Sequence, residues 1–178
     1  MHELSVTCFG VGDGSPCADR GHSAYLYEFK EASILIDCGE PVSGRFKASG
    51  PNYDSVDRVL ISHMHFDHVG GFFMLMQGFW LEGRTKALPV HLPAQAVEPV
   101  RQLMHSACLF DDVLPFRLSL LPLQAKAAIT QGPVRVTPFL TTHLDGFRKR
   151  FERAHPGHFD AFSFLLETDA FRAGHSAD

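Results

Sequence analysis

Metal-ligating side chains are concentrated in residues 63–68, which read His-Met-His-Phe-Asp-His and are followed closely by a pair of glycines. Alternate side chains of an extended segment share a face, so His63 and His65 can reach one ion. A turn after His65 would direct Asp67 and His68 towards a second point nearby. One short loop can therefore supply two adjacent divalent metal centres, which hydrolases use to activate water and to stabilise a displaced oxygen.

A structural role is the alternative for each of these side chains. Asp67 could cap a helix that begins near His68, and the histidines could be surface residues at the end of a strand. The complete string Ser-His-x-His-x-Asp-His-x-Gly-Gly rarely occurs by chance, which favours metal binding. We therefore predict that all four side chains are metal ligands.

The composition indicates one folded domain and excludes two functional classes. Hydrophobic residues make up 45% of the 178 residues and charged residues 20%, which is typical of a globular protein with a sizeable core. The net charge is −4 and the longest basic run is Arg148–Arg150, so we expect no surface that wraps nucleic acid. No apolar run is long enough to cross a bilayer, so we expect no membrane partner.

The four cysteines show no Cys-x-x-Cys pair and no spacing typical of a disulfide framework. Cys8 and Cys38 fall within predicted strands, where we expect small buried side chains in a reducing compartment. The chain starts without the basic and apolar regions of a secretory signal. Together these features predict a cytoplasmic protein.

Apolar periodicity predicts strands separated by a few helices, the pattern of a layered α/β fold. The predicted strands are residues 4–8, 24–29, 33–37, 56–62, 88–92, 113–123, 133–140, 159–168 and 170–175. The predicted helices are residues 72–81 and 94–107, and the segments expected to be irregular are residues 10–22 and 40–54. The strand over residues 56–62 would deliver His63 at its carboxyl end, where layered α/β folds usually place their chemistry.

A site for two metals needs ligands from further along the chain. His143 follows a predicted strand and is the best next candidate, with a surface position in a loop as the alternative. Asp178 could bridge two cations with its two carboxylate oxygens, whereas taken alone it would be only a charged last residue. His155 and His158 flank a Pro-Gly pair, and we expect them to contact solvent or substrate.

Six segments carry a resemblance to a known superfamily. They are residues 10–14 (GVGDG), 36–40 (IDCGE), 62–71 (SHMHFDHVGG), 142–143 (TH), 162–169 (FSFLLETD) and 176–178 (SAD). Through these segments the whole chain resembles the metallo-β-lactamase superfamily, and within it the branch of RNase Z and related phosphodiesterases. The resemblance implies an α/β fold of the metallo-β-lactamase type, an αββα sandwich in which two sheets pack between helices.

The resemblance also implies a ligand set and a cofactor. The implied ligands are His63, His65 and His143 for one cation, Asp67 and His68 for the other, and Asp178 as the bridge. Asp37 would hydrogen-bond a ligand or close the loop behind it. The cofactor would be two divalent metal ions, Zn²⁺ first with Mn or Fe as alternatives, because the donor types do not decide between these metals.

The chain departs from the superfamily pattern near its C-terminal end. Superfamily members normally continue past the bridging aspartate to a last histidine for the second metal, whereas this chain stops at Asp178. We therefore expect a single domain over residues 1–178 that lacks the C-terminal part of the second half of the sandwich. Such a domain would expose an apolar face and an unpaired strand edge, which a homodimer could cover. His155, His158 or His175 could replace the absent histidine.

A second departure concerns the substrate. RNase Z proper often carries a protruding arm that grips tRNA, between the third-histidine motif and the bridging aspartate. Here only residues 144–177 intervene, and a predicted hairpin uses much of that length. Together with the lack of basic character, this argues against tRNA and favours a small-molecule or phosphodiester substrate.

These observations predict a binuclear metal-dependent hydrolase that attacks a phosphodiester or related ester with a metal-bound hydroxide. Asp67 would be a catalytic residue as well as a ligand, because it could orient the nucleophile or accept its proton. Hydrolysis of a lactone, thioester or β-lactam stays open, since one fold hosts all of these reactions. The alternatives from other classes are a non-catalytic or single-metal chain that assembles with a partner, and a redox di-iron protein.

Overall fold

The structure is a computed structural model that describes residues 4–178, and its strands form two sheets. The first sheet has six strands in chain order: β1 (Ser5–Gly10), β2 (Ala24–Phe29), β3 (Ala32–Ile36), β4 (Arg58–Leu60), β5 (Leu88–Pro93) and β6 (Leu118–Leu123). The strands β1, β2 and β3 are antiparallel neighbours, whereas β3 to β6 run parallel. The second sheet is antiparallel and contains β7 (Ile129–Gln131), β8 (Val134–Leu140), β9 (Phe162–Glu167) and β10 (Arg172–His175), in the order β10-β9-β8-β7.

The helices lie in the connections between strands. Within residues 4–178 they are α1 (Val42–Ser49), α2 (Phe66–Val69), α3 (Phe72–Leu81), α4 (Val97–Ser106) and α5 (Asp145–Phe151). A 3₁₀ turn over Ala94–Ala96 leads into α4. Pro99 is tolerated there because it lies in the first helical turn, where its missing N–H would have no partner in the helix. No helix in this part of the chain combines the length and the hydropathy that a bilayer crossing requires.

Two large hydrophobic cores hold the layers together. In β3 every residue is buried; Leu35 belongs to the core under α1, α3 and α4, whereas Ile34 and Ile36 belong to the core between the two sheets. Val59 and Leu60 of β4 face the two cores in the same alternating way. Strands that are buried on both faces lie between two covering layers. This arrangement confirms the layered α/β expectation.

Residues 40–54 contain α1, contrary to the expectation of an irregular segment. Val42 and Phe46 are one turn apart and bury one face of the helix in the first core. The helix ends at Gly50, whose φ of 74° is a left-handed conformation that glycine adopts without steric cost. The sequence signal was therefore an apolar pair followed by a terminating glycine.

The cysteine in β1 also differs from expectation. Cys8 is exposed, because β1 is an edge strand and Cys8 points away from the neighbouring Phe9, whose ring packs against Phe46 of α1. Cys38 is buried as predicted, and all four cysteines are free thiols. Cys38 follows the end of β3 rather than lying within it, so its predicted burial is correct although its predicted place in a strand is not.

Several boundaries are shifted, while two predictions match closely. The strand expected over residues 56–62 is limited to Arg58–Leu60, because the Ser62 amide leaves the ladder and donates to the Asp37 side chain. The strand expected over residues 113–123 begins at Leu118, and the short elements β7 and α5 were not predicted. The helix over residues 72–81 and the final hairpin are confirmed.

Candidate metal centre

The metal-ligand string follows the carboxyl end of β4, beside the carboxyl end of β3. Because these strands are parallel, Asp37 after β3 and Ser62 and His63 after β4 meet at the same edge of the sheet. Ser62 donates its backbone N–H to Asp37 Oδ1 at 2.8 Å and its hydroxyl to Asp37 Oδ2 at 3.0 Å. His63 is therefore positioned by two hydrogen bonds of the residue before it.

Close backbone packing fixes the turn that follows. The Cys38 N–H donates to His68 O at 2.7 Å, and the Gly71 N–H donates to Cys38 O at 2.8 Å. A Cβ on Gly39 would collide with Asp67 O, so only glycine permits this approach. These contacts hold α2, which carries both Asp67 and His68, against the end of β3.

His63, His65 and His143 form the first ligand trio. One ring nitrogen of each lies within 4.8 Å of the other two. The His63 ring centroid is 4.7 Å from that of His65 and 4.8 Å from that of His143. His143 comes from the segment after β8, so the two sheets both contribute to this trio. Imidazole nitrogens this close together can converge on one ion.

His63, His68 and Asp178 form the second ligand trio, whose donor atoms also lie within 4.8 Å of one another. Asp178 Oδ2 is 3.2 Å from His68 Nε2 and 3.8 Å from His143 Nε2. One carboxylate oxygen therefore adjoins a ring from each trio. Asp67 Oδ2 lies 3.4 Å from His68 Nε2, so Asp67 also adjoins the second trio.

Asp37 lies behind His68 and fixes its ring. Asp37 Oδ2 accepts hydrogen bonds from His68 Nδ1 at 2.7 Å and from the Ser23 hydroxyl at 3.0 Å. An imidazole that donates its Nδ1–H to a carboxylate presents Nε2 as the free donor atom. The contact between Asp37 and a ligand side chain is thus present. Ser23 has no chemical signal in the sequence beyond its place just before β2.

Burial and charge set the protonation of the three histidines in the string. Burial lowers the pKa of His63 to about 3 and also lowers the pKa of His65, so both rings are neutral near pH 7. Burial opposes protonation of His68 too, but its hydrogen bond to Asp37 and the nearby carboxylate charges outweigh this effect and raise its pKa. Neutral imidazole is the form that binds metal.

One buried atom tests whether these residues fit a metal ion. His63 Nε2 is buried and has no hydrogen-bond partner among the described residues. Leaving such a group unpaired costs about 1–3 kcal/mol, and an ion within reach of either trio would pair with it. Imidazole nitrogens and carboxylate oxygens are donors that zinc accepts. The donor set therefore fits a divalent cation.

The other candidate histidines lie outside both trios. His175 is buried, with Nδ1 2.9 Å from the Tyr27 hydroxyl, and so joins β10 to β2. His155 and His158 are exposed and line a cavity with Phe147. The Phe147 ring lies 5.8 Å from the His65 ring. It carries no signal in the sequence, because a phenylalanine in a short helix ordinarily packs in a core.

The fold is that of the metallo-β-lactamase proteins. The metallo-β-lactamase fold protein YhfI of Bacillus subtilis matches with a TM-score of 0.73 and 22% identity, over 98% of this chain and 62% of its own. The short form of human tRNase Z (ELAC1) matches with a TM-score of 0.73 and 18% identity, over 97% of this chain and 71% of its own. Zn²⁺-bound PqqB of Methylobacterium extorquens matches with a TM-score of 0.66 and 13% identity, over 98% and 64%.

Sequence comparison defines the family within this superfamily. Residues 4–148 match the family described as Anti-Pycsar protein Apyc1, and the chain belongs to that family. It is also similar to Ribonuclease Z of Bradyrhizobium sp. (strain ORS 278), with 29% identity over 147 residues, which is 83% of this chain and 48% of that protein. Ribonuclease Z of Clostridium perfringens is 29% identical over 118 residues, 66% of this chain and 36% of that protein. The chain thus spans about half the length, or less, of these curated relatives.

Proposed function

We propose that this chain holds two divalent cations, Zn²⁺ in the first instance, and acts as a hydrolase of phosphodiesters. The observation that carries the proposal is the position of Asp178 Oδ2, 3.2 Å from His68 Nε2 and 3.8 Å from His143 Nε2. A carboxylate that adjoins both ligand trios suits two neighbouring cations, which need a shared ligand. The proposed ligands are His63, His65 and His143 for the first cation, Asp67 and His68 for the second, and Asp178 for both.

Two such cations, when bound, lower the pKa of a water molecule and stabilise negative charge on the substrate. The chain's own residues must then orient the nucleophile and take up its proton. The contact of Asp67 Oδ2 with His68 Nε2, at 3.4 Å, supports this role for Asp67. A Cβ on Gly14 would lie 3.3 Å from the same oxygen, so the glycine leaves room beside the carboxylate. Asp67 would therefore accept the proton as a general base.

Phosphodiesters are the first substrate class to test, since relatives bear the name Ribonuclease Z and a structural neighbour the name tRNase Z. The same names give no support to the expectation that tRNA is excluded, which stays a prediction. Lactone, thioester and β-lactam hydrolysis are the alternatives on this fold. We propose the cytoplasm as the location from the four free thiols, and a homodimer as the assembly to be tested.

Metal content and turnover test the proposal together. Zinc-loaded protein is expected to contain two ions per chain by elemental analysis and to hydrolyse bis(p-nitrophenyl) phosphate. His65→Ala is expected to lower both quantities, because it removes a donor of the first trio. His105→Ala, which changes a histidine on α4 outside both trios, is expected to alter neither.

Two results would count against the proposal. One ion per chain, no turnover and a tight dimer would favour the non-catalytic chain that assembles with a partner. Unchanged metal content in the His65→Ala protein would contradict the ligand assignment itself.

A further inference from the structure

Arg58 is a partly buried cation between the two sheets. It is the first residue of β4 and shares a face of that strand with Leu60, which belongs to the core between the sheets. Arg58 is therefore directed towards the second sheet, where it contacts Gln131 of β7. The metal-ligand string follows the last residue of β4, so Arg58 lies at the other end of this strand from the metal centre.

His91 of β5 orients the Arg58 guanidinium. It is buried and lies opposite Leu60 in the register of β4 and β5, so it faces the second sheet as well. Arg58 Nη1 donates to His91 Nε2, because a guanidinium has only donors and the ring nitrogen must accept. Burial and the Arg58 charge lower the pKa of His91 to about 4, so the ring is neutral near pH 7 and carries its proton on Nδ1.

Two hydrogen-bond donors of this pair lack an acceptor. Arg58 Nε and His91 Nδ1 are both buried, and neither has a partner within the described part of the chain. Asp57, the acid next to Arg58 in the chain, instead pairs with Lys86 and accepts the Ser33 N–H at 2.8 Å. A buried donor without an acceptor lowers the stability of the folded chain, so this pair is suited to a ligand that supplies acceptors.

The edge of the Arg58 guanidinium that faces Gln131 matches an oxyanion. Nε and Nη2 of an arginine form an edge that binds carboxylate or phosphate through two parallel hydrogen bonds. Here Nη2 donates to Gln131 Oε1 at 3.1 Å, which is a neutral acceptor, and Nε has no acceptor among the described residues. Gln131 is partly exposed and is the last residue of β7, an edge strand. Its side chain can therefore turn outward and leave this edge to a ligand.

We infer that the Nε–Nη2 edge of Arg58 binds a small oxyanion such as phosphate or sulfate, in the place that the Gln131 amide occupies. The anion accepts both N–H groups of this edge and neutralises the guanidinium charge, whereas the amide oxygen accepts only one. Because Arg58 begins β4 and Gln131 ends β7, the bound anion lies where the second sheet packs on the first. The inference does not depend on the proposed function, because Arg58, His91 and Gln131 belong to neither ligand trio.

A phosphate titration of the zinc-loaded protein, followed by NMR, tests the inference. We expect inorganic phosphate to shift the His91 imidazole and Gln131 amide resonances until they saturate. Sodium chloride at equal ionic strength should not shift them, because a single-atom ion does not present two oxygens to the edge. Arg58→Lys should abolish the phosphate response, since lysine keeps the charge and lacks the planar edge. Arg117→Gln, at an exposed arginine outside this cluster, should leave the response unchanged.

Gln131→Ala distinguishes a binding site from a contact that only stabilises the fold. Removing the competing amide should tighten phosphate binding at His91 by about fivefold, the scale of one hydrogen bond, whereas a purely structural contact predicts no gain in affinity. The inference is overturned if phosphate and chloride act alike, if Arg58→Lys keeps the response, or if Gln131→Ala brings no gain. Shifts of the His65 ring report phosphate at the cations, so a failure at Arg58 leaves the proposed function untouched.

Discussion

The second ligand trio is fixed by a hydrogen bond from His68 to the buried Asp37 carboxylate. In the first trio, no carboxylate within residues 4–178 holds His65 or His143 in this way. In the second trio His68 is buried and its ring is bonded to Asp37, which the ends of β3 and β4 hold in place. In the first trio His143 Nε2 lies 3.4 Å from His65 Nδ1, and within residues 4–178 neither ring is hydrogen-bonded to a carboxylate. His65 of this trio also lines a cavity, together with Met64 and Phe147.

This difference separates two tasks that a metal centre must perform. A ligand fixed by a buried carboxylate keeps its orientation before the metal arrives, and so contributes to affinity. A ligand without such a bond can approach both an ion and a substrate. His63 belongs to both trios, so it can contribute to both tasks.

Removing the shared histidine should have the largest effect. His63→Ala is expected to remove the first cation, of which His63 is a proposed ligand, and to lower affinity for the second, because a ring nitrogen of His63 also lies within 4.8 Å of the His68 and Asp178 donor atoms. His65→Ala, in contrast, should weaken mainly the binding of the first cation. Elemental analysis after gel filtration measures both. If His63→Ala kept one full equivalent of metal, His63 would not be the shared member of the two trios.

The titration of the metal-free protein should differ between the trios. His63, whose pKa burial lowers to about 3, stays neutral as the pH falls below 6.5, whereas His68, whose pKa is raised, takes up its proton above 6.5. The unfolded chain binds more protons at residue 63 between pH 6.5 and about 3, so this contribution to the free energy of unfolding falls as the pH falls. The contribution of His68 is fully present below pH 6.5 and is lost as the pH rises through its raised pKa.

Imidazole nitrogen chemical shifts, followed by NMR across the pH range in which the protein stays folded, measure this difference. The two rings should change in separate steps on opposite sides of pH 6.5. A single common step near pH 6.5 would contradict the opposing effects of burial at His63 and of the Asp37 carboxylate at His68.

Neutralising the buried Asp37 carboxylate should lower the affinity for the second cation more than the affinity for the first. Asp37→Asn removes the charge that fixes the His68 tautomer, and losses of about 10–100-fold in metal affinity are typical for such changes. Competition with a coloured chelator measures the two affinities. Asp54→Asn serves as the control, because Asp54 likewise accepts backbone N–H and hydroxyl hydrogen bonds, but among the described residues none of them comes from a member of either trio. An equal loss of affinity for both cations would show that Asp37 acts on the whole edge of the sheet rather than on His68.

The contact between the sheets should have the smallest effect. The Tyr27 hydroxyl lies 2.9 Å from His175 Nδ1, three residues before Asp178. Tyr27→Phe is expected to lower affinity for the second cation by about fivefold, the scale of one hydrogen bond of roughly 1 kcal/mol, and to spare the first. Tyr53→Phe, in a hydrophobic contact outside the site, serves as control. An unchanged second affinity would show that Asp178 is placed without this contact.

Local patterns predicted the elements that bury a regular apolar face. The helix over residues 72–81 and the final hairpin are examples, because each shows its period within a few residues. The helix α1 was missed, although its signal was present, because glycine and serine neighbours suggested a loop. The helix α5 buries no residue of its own, so periodicity could not reveal it.

The donors at residues 63–68 could be identified from the sequence because they are neighbours along the chain, and a short turn suffices to gather them. Only the tertiary structure decided which distant residues join them. Asp37 contacts His68 because β3 and β4 pair in parallel. His143 and Asp178 lie beside the same loop because the second sheet packs on the first. Phe147 meets His65 for the same reason. Contacts of this kind depend on the pairing of strands and the packing of layers, which spacing along a single chain does not specify.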